Sequence, residues 1–119
     1  MVVEDEEDIL LLYRDFLSHR GHEVVSKDTT IETIMAYLEE ETPDLFIIDH
    51  VLGGKNDGIE IATKILNKVP SAPILFITGY ELLLDTIRTV PSLYDRNVQV
   101  LIKPVKLDKI EDTIMNMID

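Results

Sequence analysis

Apolar and polar positions along the chain switch between two periods, over and over. Val2-Val3 is a stub of β-type sequence. Ile9, Leu12, Tyr13 and Phe16 follow at helical spacing, and Gly21 stands where a helix would end. Glu23 to Ser26 reads as a short strand. A second helix, capped by Thr29 or Thr30, carries Ile31, Ile34, Met35 and Leu38 on one stripe. Pro43-Asp44 breaks it. Leu45-Phe46-Ile47-Ile48 is then apolar without interruption, as in a strand buried on both faces of a parallel sheet. Gly53, Gly54 and Gly58 make a loop before a helix bearing Ile59, Ala62, Ile65 and Leu66. Beyond the turn from Pro70 to Pro73, Ile74-Leu75-Phe76-Ile77 is another buried strand. Helical spacing returns from Glu81 to Val90, with Leu83, Ile87 and Val90 on one stripe, and stops at Pro91. Val98 to Ile102 is the last strand, and Leu107, Ile110, Ile114 and Met117 mark a closing helix.

Strand and helix thus alternate through five βα units with short connections. Such alternation implies right-handed crossovers and helices on both faces of a parallel sheet. The expected fold is α/β: a doubly wound, five-stranded parallel sheet of flavodoxin-like order 2-1-3-4-5. Residues 1–119 are expected to form a single domain, large enough to bury roughly two-thirds of the surface the unfolded chain exposes. A central first strand is ordinarily longer than Val2-Val3, so further residues are expected ahead of Met1.

Composition narrows the chemistry. Twenty-three acids against 11 bases give a formal net charge of −12, which repels nucleic acid and anionic membrane. No apolar run approaches the ~20 residues that span a bilayer, so a soluble, cytoplasmic protein is expected. The absence of cysteine removes disulfides, thiol catalysis and Cys-based zinc sites.

The polar residues that end the strands carry the functional signal. Glu4-Asp5, Asp49, Thr78 and Lys103-Pro104 each close an apolar strand, and the carboxyl ends of parallel strands converge on one sheet edge. Singly they are ordinary: an Asp after a strand is usually a turn residue, and a Thr there is a β-former. Together, three carboxylates, a lysine and a hydroxyl suit a divalent cation and a phosphoryl group. Two carboxylates about 4 Å apart repel by roughly 4 kcal/mol at an effective dielectric near 20. A cation relieves such a cluster. Glu6, Glu7 and Asp8 continue the acidic run and suit the positive end of a helix.

The chain resembles the receiver domain of response regulators over essentially its whole length. The segments that carry the likeness are Val2-Val3-Glu4-Asp5-Glu6, Pro43 through Asp49, Pro73 through Gly79, and Leu101-Ile102-Lys103-Pro104-Val105. The resemblance implies that Asp49 accepts a phosphoryl group from a phosphohistidine on a sensor histidine kinase or histidine phosphotransfer protein. It implies a Mg²⁺ ion, or another divalent cation such as Mn²⁺. Asp5, Asp49 and the Val51 carbonyl would hold it directly, with Glu4 acting through water. Lys103 would pair with Asp49 and then with the phosphoryl group, and Thr78 would donate its hydroxyl. The protein would be a phosphorylation-dependent switch rather than an enzyme, acting on a downstream effector or on a second copy of itself. The alternative is a pseudo-receiver, an interaction module independent of phosphorylation. A stand-alone receiver and a piece of a larger regulator or hybrid kinase both suit a chain ending at Asp119.

Several positions depart from the family pattern. Gly53 stands where a proline is common, and Gly58 falls nine residues after Asp49 instead of eight. Val100 replaces the usual aromatic switch residue, so a coupled Thr–aromatic rearrangement does not carry over. Gly53-Gly54-Lys55 lacks the flanking residues of a phosphate-binding P-loop. Val51 and Tyr80 flank the path of attacking water and position it poorly, which implies slow autodephosphorylation. Leu82 and Leu84, and separately Leu10, Leu11 and Leu17, are expected to leave apolar surface for partners. Tyr13, Phe16, Phe46 and Phe76 read as packing, and His19, His22 and His50 show no ligand spacing.

Overall fold

The two uninterrupted apolar runs form the centre of the sheet. The computed structural model describes residues 1–4, 6–27, 31–50, 58–79, 83–91, 93 and 95–118, without the side chains of residues 26, 27, 50 and 84. Strand β3 (Phe46–His50) pairs in parallel with β4 (Ile74–Thr78), setting Ile47 beside Leu75 and Asp49 beside Ile77. Strand β1 (Val2–Val3) lies on the other flank of β3, with Val3 level with Ile48. Strand β2 (Ser26–Lys27) pairs with β1, and β5 (Val98–Ile102) pairs with β4. The sheet is five-stranded, parallel throughout, and runs in the order β2-β1-β3-β4-β5.

Alternation along the strands divides the core in two. Val3, Ile48, Ile74 and Phe76 pack with Ile34 of α2 (Ile31–Leu38), Ile61 and Ile65 of α3 (Gly58–Lys68) and Leu83 of α4 (Leu83–Arg88). Val2, Ile47, Leu75 and Ile77 face Tyr13 and Leu17 of α1 (Glu7–His19) and Ile110 and Ile114 of α5 (Leu107–Ile118). Helices on both faces explain why β3 and β4 are apolar at every core position: neither face meets water. Edge strand β5 is covered less, and Gln99 and Ile102 are exposed.

Helix α1 ends as its glycine predicts. Gly21 takes φ +88°, its N–H donates to Ser18 O at 3.1 Å, and His22 N–H donates to Leu17 O at 3.0 Å. That is a Schellman motif, which satisfies carbonyls at the helix end and needs a left-handed residue. Beyond it, Arg20 stacks over Phe16 and reaches Asp108 at 3.1 Å and Glu111 at 3.2 Å, joining α1 to α5.

Three expectations shift. The second strand pairs at Ser26–Lys27 rather than over Glu23 to Ser26, with Val25 O accepting from Val2 N–H at 2.9 Å just ahead of it. Helix α1 is rotated from the expected stripe: Leu12 is 52% exposed, while Leu17, expected on the surface, is 4% exposed. Three successive leucines fit any helical phase, and contact with the sheet selects the one that buries Tyr13 and Leu17. Helix α4 ends at Arg88 rather than Val90, and the expected start at Glu81 lies outside the described residues. Leu83 and Ile87 are buried as expected, but Leu93, from the following loop, also enters the core. Asp5, Thr29, Thr30, Val51, Gly53, Gly54, Tyr80, Leu82 and Tyr94, and the Leu84 side chain, lie outside the described residues. Among the described residues, no helix is long and apolar enough to cross a membrane.

Candidate functional site

Asp49 shares the face of β3 that carries Ile47, toward α1 and α5, and sits at the carboxyl end of the strand. Lys103 follows β5 and shares the face of Leu101. The two strands are not neighbours, since β4 lies between them. Their side chains nevertheless meet, with Lys103 Nζ 2.6 Å from Asp49 Oδ2. The carboxylate side chain is 5% exposed and the lysine 36%, so the pair is buried on its acidic side and wet on its basic side. At that distance the ammonium balances the charge of the carboxylate directly.

The backbone anchors this arrangement. Lys103 N–H donates to Thr78 O at 2.7 Å, tying the ends of β4 and β5 together, and the Lys103-Pro104 peptide is cis. Thr78 is buried and lies level with His50 and Ile102. Alternation sets it on the Phe76 side, opposite to Asp49, so the two groups approach one another only over the rim of the sheet.

Glu4 occupies the step after the Val3–Ile48 pair, which brings it alongside Asp49 on the same face. It is buried, and its Oε1 accepts from Glu6 N–H at 2.9 Å, at the entry to α1. Two of the three expected carboxylates, Glu4 and Asp49, therefore share one end of one face. Asp5 and Val51, the other expected metal ligands, are outside the described residues. Among the described residues, no three His, Cys, Asp or Glu side chains gather closely enough to hold a metal. The donor chemistry still fits a hard divalent cation. Among the described residues it consists of the buried carboxylates of Glu4 and Asp49, which are hard oxygen donors.

Tyr13 is the residue that sequence reading missed. It packs in the α1 face of the core, and burial first, then the charges of Asp49 and Glu4, raise its pKa above the ordinary phenol value. Its ring therefore packs the core while its hydroxyl feels the acidic pair. The signal was present in strand alternation, which turns Glu4 and Asp49 toward the first helix.

The model of the response regulator receiver domain matches residues 1–115. The chain belongs to that family. Solved structures agree on the fold of this receiver. A CheY-like receiver domain protein from Methanospirillum hungatei has a TM-score of 0.82 at 24% identity, over 99% of this chain and 90% of that one. A receiver domain protein from Clostridium thermocellum gives 0.80 at 25% identity, over 98% and 90%. A chain in the structure of histidine kinase ThkA in complex with response regulator protein TrrA gives 0.77 at 24%, over 99% and 96%. A search of curated proteins finds no match.

Proposed function

We propose that this receiver accepts a phosphoryl group on Asp49 from a partner phosphohistidine, and that the added charge switches a protein-interaction surface in a phosphorelay. The observation that carries the reading is the 2.6 Å approach of Lys103 to a buried aspartate at the carboxyl edge of the sheet. Receiver domains are phosphoacceptor switches rather than enzymes in the usual sense. The complex of ThkA with TrrA is a precedent for a histidine kinase as the partner.

In the proposed transfer a carboxylate oxygen of Asp49 attacks phosphorus. The P–N bond to the donor imidazole breaks, and its electron pair leaves with the ring nitrogen, which takes up a proton. The product is an acyl phosphate. Phosphoryl transfer asks the protein mainly for positioning and charge neutralisation. Lys103 serves both: it holds Asp49 in place beforehand and then follows the new negative charge. Thr78, across the rim, donates to a phosphoryl oxygen. A divalent cation held by Asp5, Asp49 and the Val51 carbonyl, with Glu4 acting through water, would neutralise charge on the phosphoryl oxygens. The phosphate adds roughly −1.5 to −2 charge.

Incubation with Mg²⁺ and acetyl phosphate tests this. Intact-mass measurement should find one phosphate per chain, lost in Asp49→Asn and decaying slowly. An unmodified wild-type chain would favour the phosphorylation-independent interaction module. Turnover of many equivalents would instead indicate a hydrolase, for which Val51 offers no general acid.

A further inference from the structure

Lys103 reaches Asp49 Oδ2 from the β5 side at 2.6 Å, on the face of the sheet that α1 and α5 cover. One ion pair fixes where a carboxylate oxygen lies. It leaves the plane of the group free, because the terminal torsion of an aspartate is broad and roughly two-fold. An oxygen that must meet phosphorus in line gains from a second contact. Helix α1 offers one. It begins at Glu7, where Glu6 N–H donates to Glu4 Oε1 at 2.9 Å, so its amino end stands at the carboxyl edge of the sheet. Tyr13 lies about 9 Å along the helix axis from that start. Helical side chains lean back toward the amino end, which tips the Tyr13 ring toward Glu4 and Asp49. The residue is 6% exposed and packs in one cluster with Val2, Ile47 and Ile77. Its hydroxyl lies within the field of both acids, that of Asp49 being the stronger.

We propose that Tyr13 is a positioning residue for the phosphoacceptor: its hydroxyl donates to the Asp49 carboxylate from the core side and, with Lys103, fixes the plane from which an oxygen attacks phosphorus. This role rests on the phosphoacceptor reading above. A buried tyrosine hydroxyl ordinarily finds an acceptor, and ionised carboxylates are acceptors only. Glu4 Oε1 is already engaged by the Glu6 N–H, which leaves Asp49 as the better partner. A phenol keeps its proton well above neutral pH, so Tyr13 donates before and after transfer. Hydrogen bonds at reacting groups commonly tighten only in the reacting complex, where the field seen here becomes a bond. The two contacts do different work. Lys103 carries charge and follows it to the phosphoryl group, whereas the neutral hydroxyl stays with the carboxyl group and keeps it oriented.

Single-turnover phosphorylation of the whole chain by acetyl phosphate, with saturating Mg²⁺, tests the role. Tyr13→Phe keeps the ring and removes only the hydroxyl. It should lower the maximal rate about tenfold and leave half-saturation by acetyl phosphate unchanged, the split expected of an interaction made mainly in the transition state. NMR of the tyrosine ring carbons gives a readout that packing alone would not move, and it needs neither metal nor phosphate. In metal-free protein Asp49→Asn should shift the Tyr13 Cζ resonance, beside the hydroxyl, and leave Cγ across the ring in place. Equal movement of both carbons, or of neither, overturns the proposal. A wild type phosphorylated no faster than Tyr13→Phe overturns this inference and leaves the phosphoacceptor reading intact. A wild type that takes no phosphate removes that reading first, and this role with it.

Discussion

At the scale of single residues, Asp49 and Lys103 are unequal partners. The carboxylate is buried beside Glu4, whereas the lysine keeps about a third of its surface in water. Removing the acidic partner leaves an ammonium that water solvates, and it also ends the burial and repulsion of a carboxylate. Asp49→Asn should therefore raise stability in metal-free buffer by about 1 kcal/mol, a Tm increase of roughly 4 °C in calorimetry. A clear decrease would mean that Lys103, rather than the clustered acids, dominates the balance. Tyr13 gives a second test. Below pH ~10 its phenol is neutral in both folded and unfolded chains. Above that, the unfolded phenol ionises first because the folded value is raised, so stability declines as pH climbs. Urea midpoints between pH 9 and 11 should fall less steeply for Tyr13→Phe than for the wild type, and parallel curves would rule this account out.

At the scale of elements, α1 shows what periodicity can and cannot carry. Its end was legible because Gly21 is the residue a left-handed C′ position demands. A Cβ there would meet nothing within 4 Å, so Gly21→Ala should cost only backbone strain, about 1 kcal/mol, with Gly21→Asn costing less. Chemical denaturation reads this directly, and unchanged midpoints would contradict the capping role. The buried face of the same helix was not legible, since Leu10, Leu11 and Leu12 satisfy several phases at once. Strand β2 shows the same limit. Val24 and Val25 have β-type character, yet pairing depends on which backbone groups β1 presents.

For the whole molecule, charge is the governing quantity. A chain of net charge −12 is stabilised by any salt that screens its self-repulsion. A cation site predicts something further. Millimolar Mg²⁺ should raise Tm more than NaCl of equal ionic strength does, and Asp49→Asn should abolish that excess. Equal responses to the two salts in the wild type would argue against a specific site.

Local physics was enough to place most of the elements, though not the bounds of β2 or the buried face of α1. Uninterrupted apolar runs read as strands buried on both faces, and helical stripes between them pointed to a parallel sheet covered on two sides. The acids, hydroxyl and lysine at the strand ends followed from the same pattern. Strand order is another matter, because periodicity says nothing about which neighbours a strand will have. Tertiary packing alone carried Lys103 past β4 to Asp49, and turned Tyr13 from a packing residue into one that senses the acidic pair. The difference is one of range. Hydrophobic period and turn chemistry act over a few neighbouring residues, whereas register, burial and charge pairing arise only when distant segments exclude water from one another.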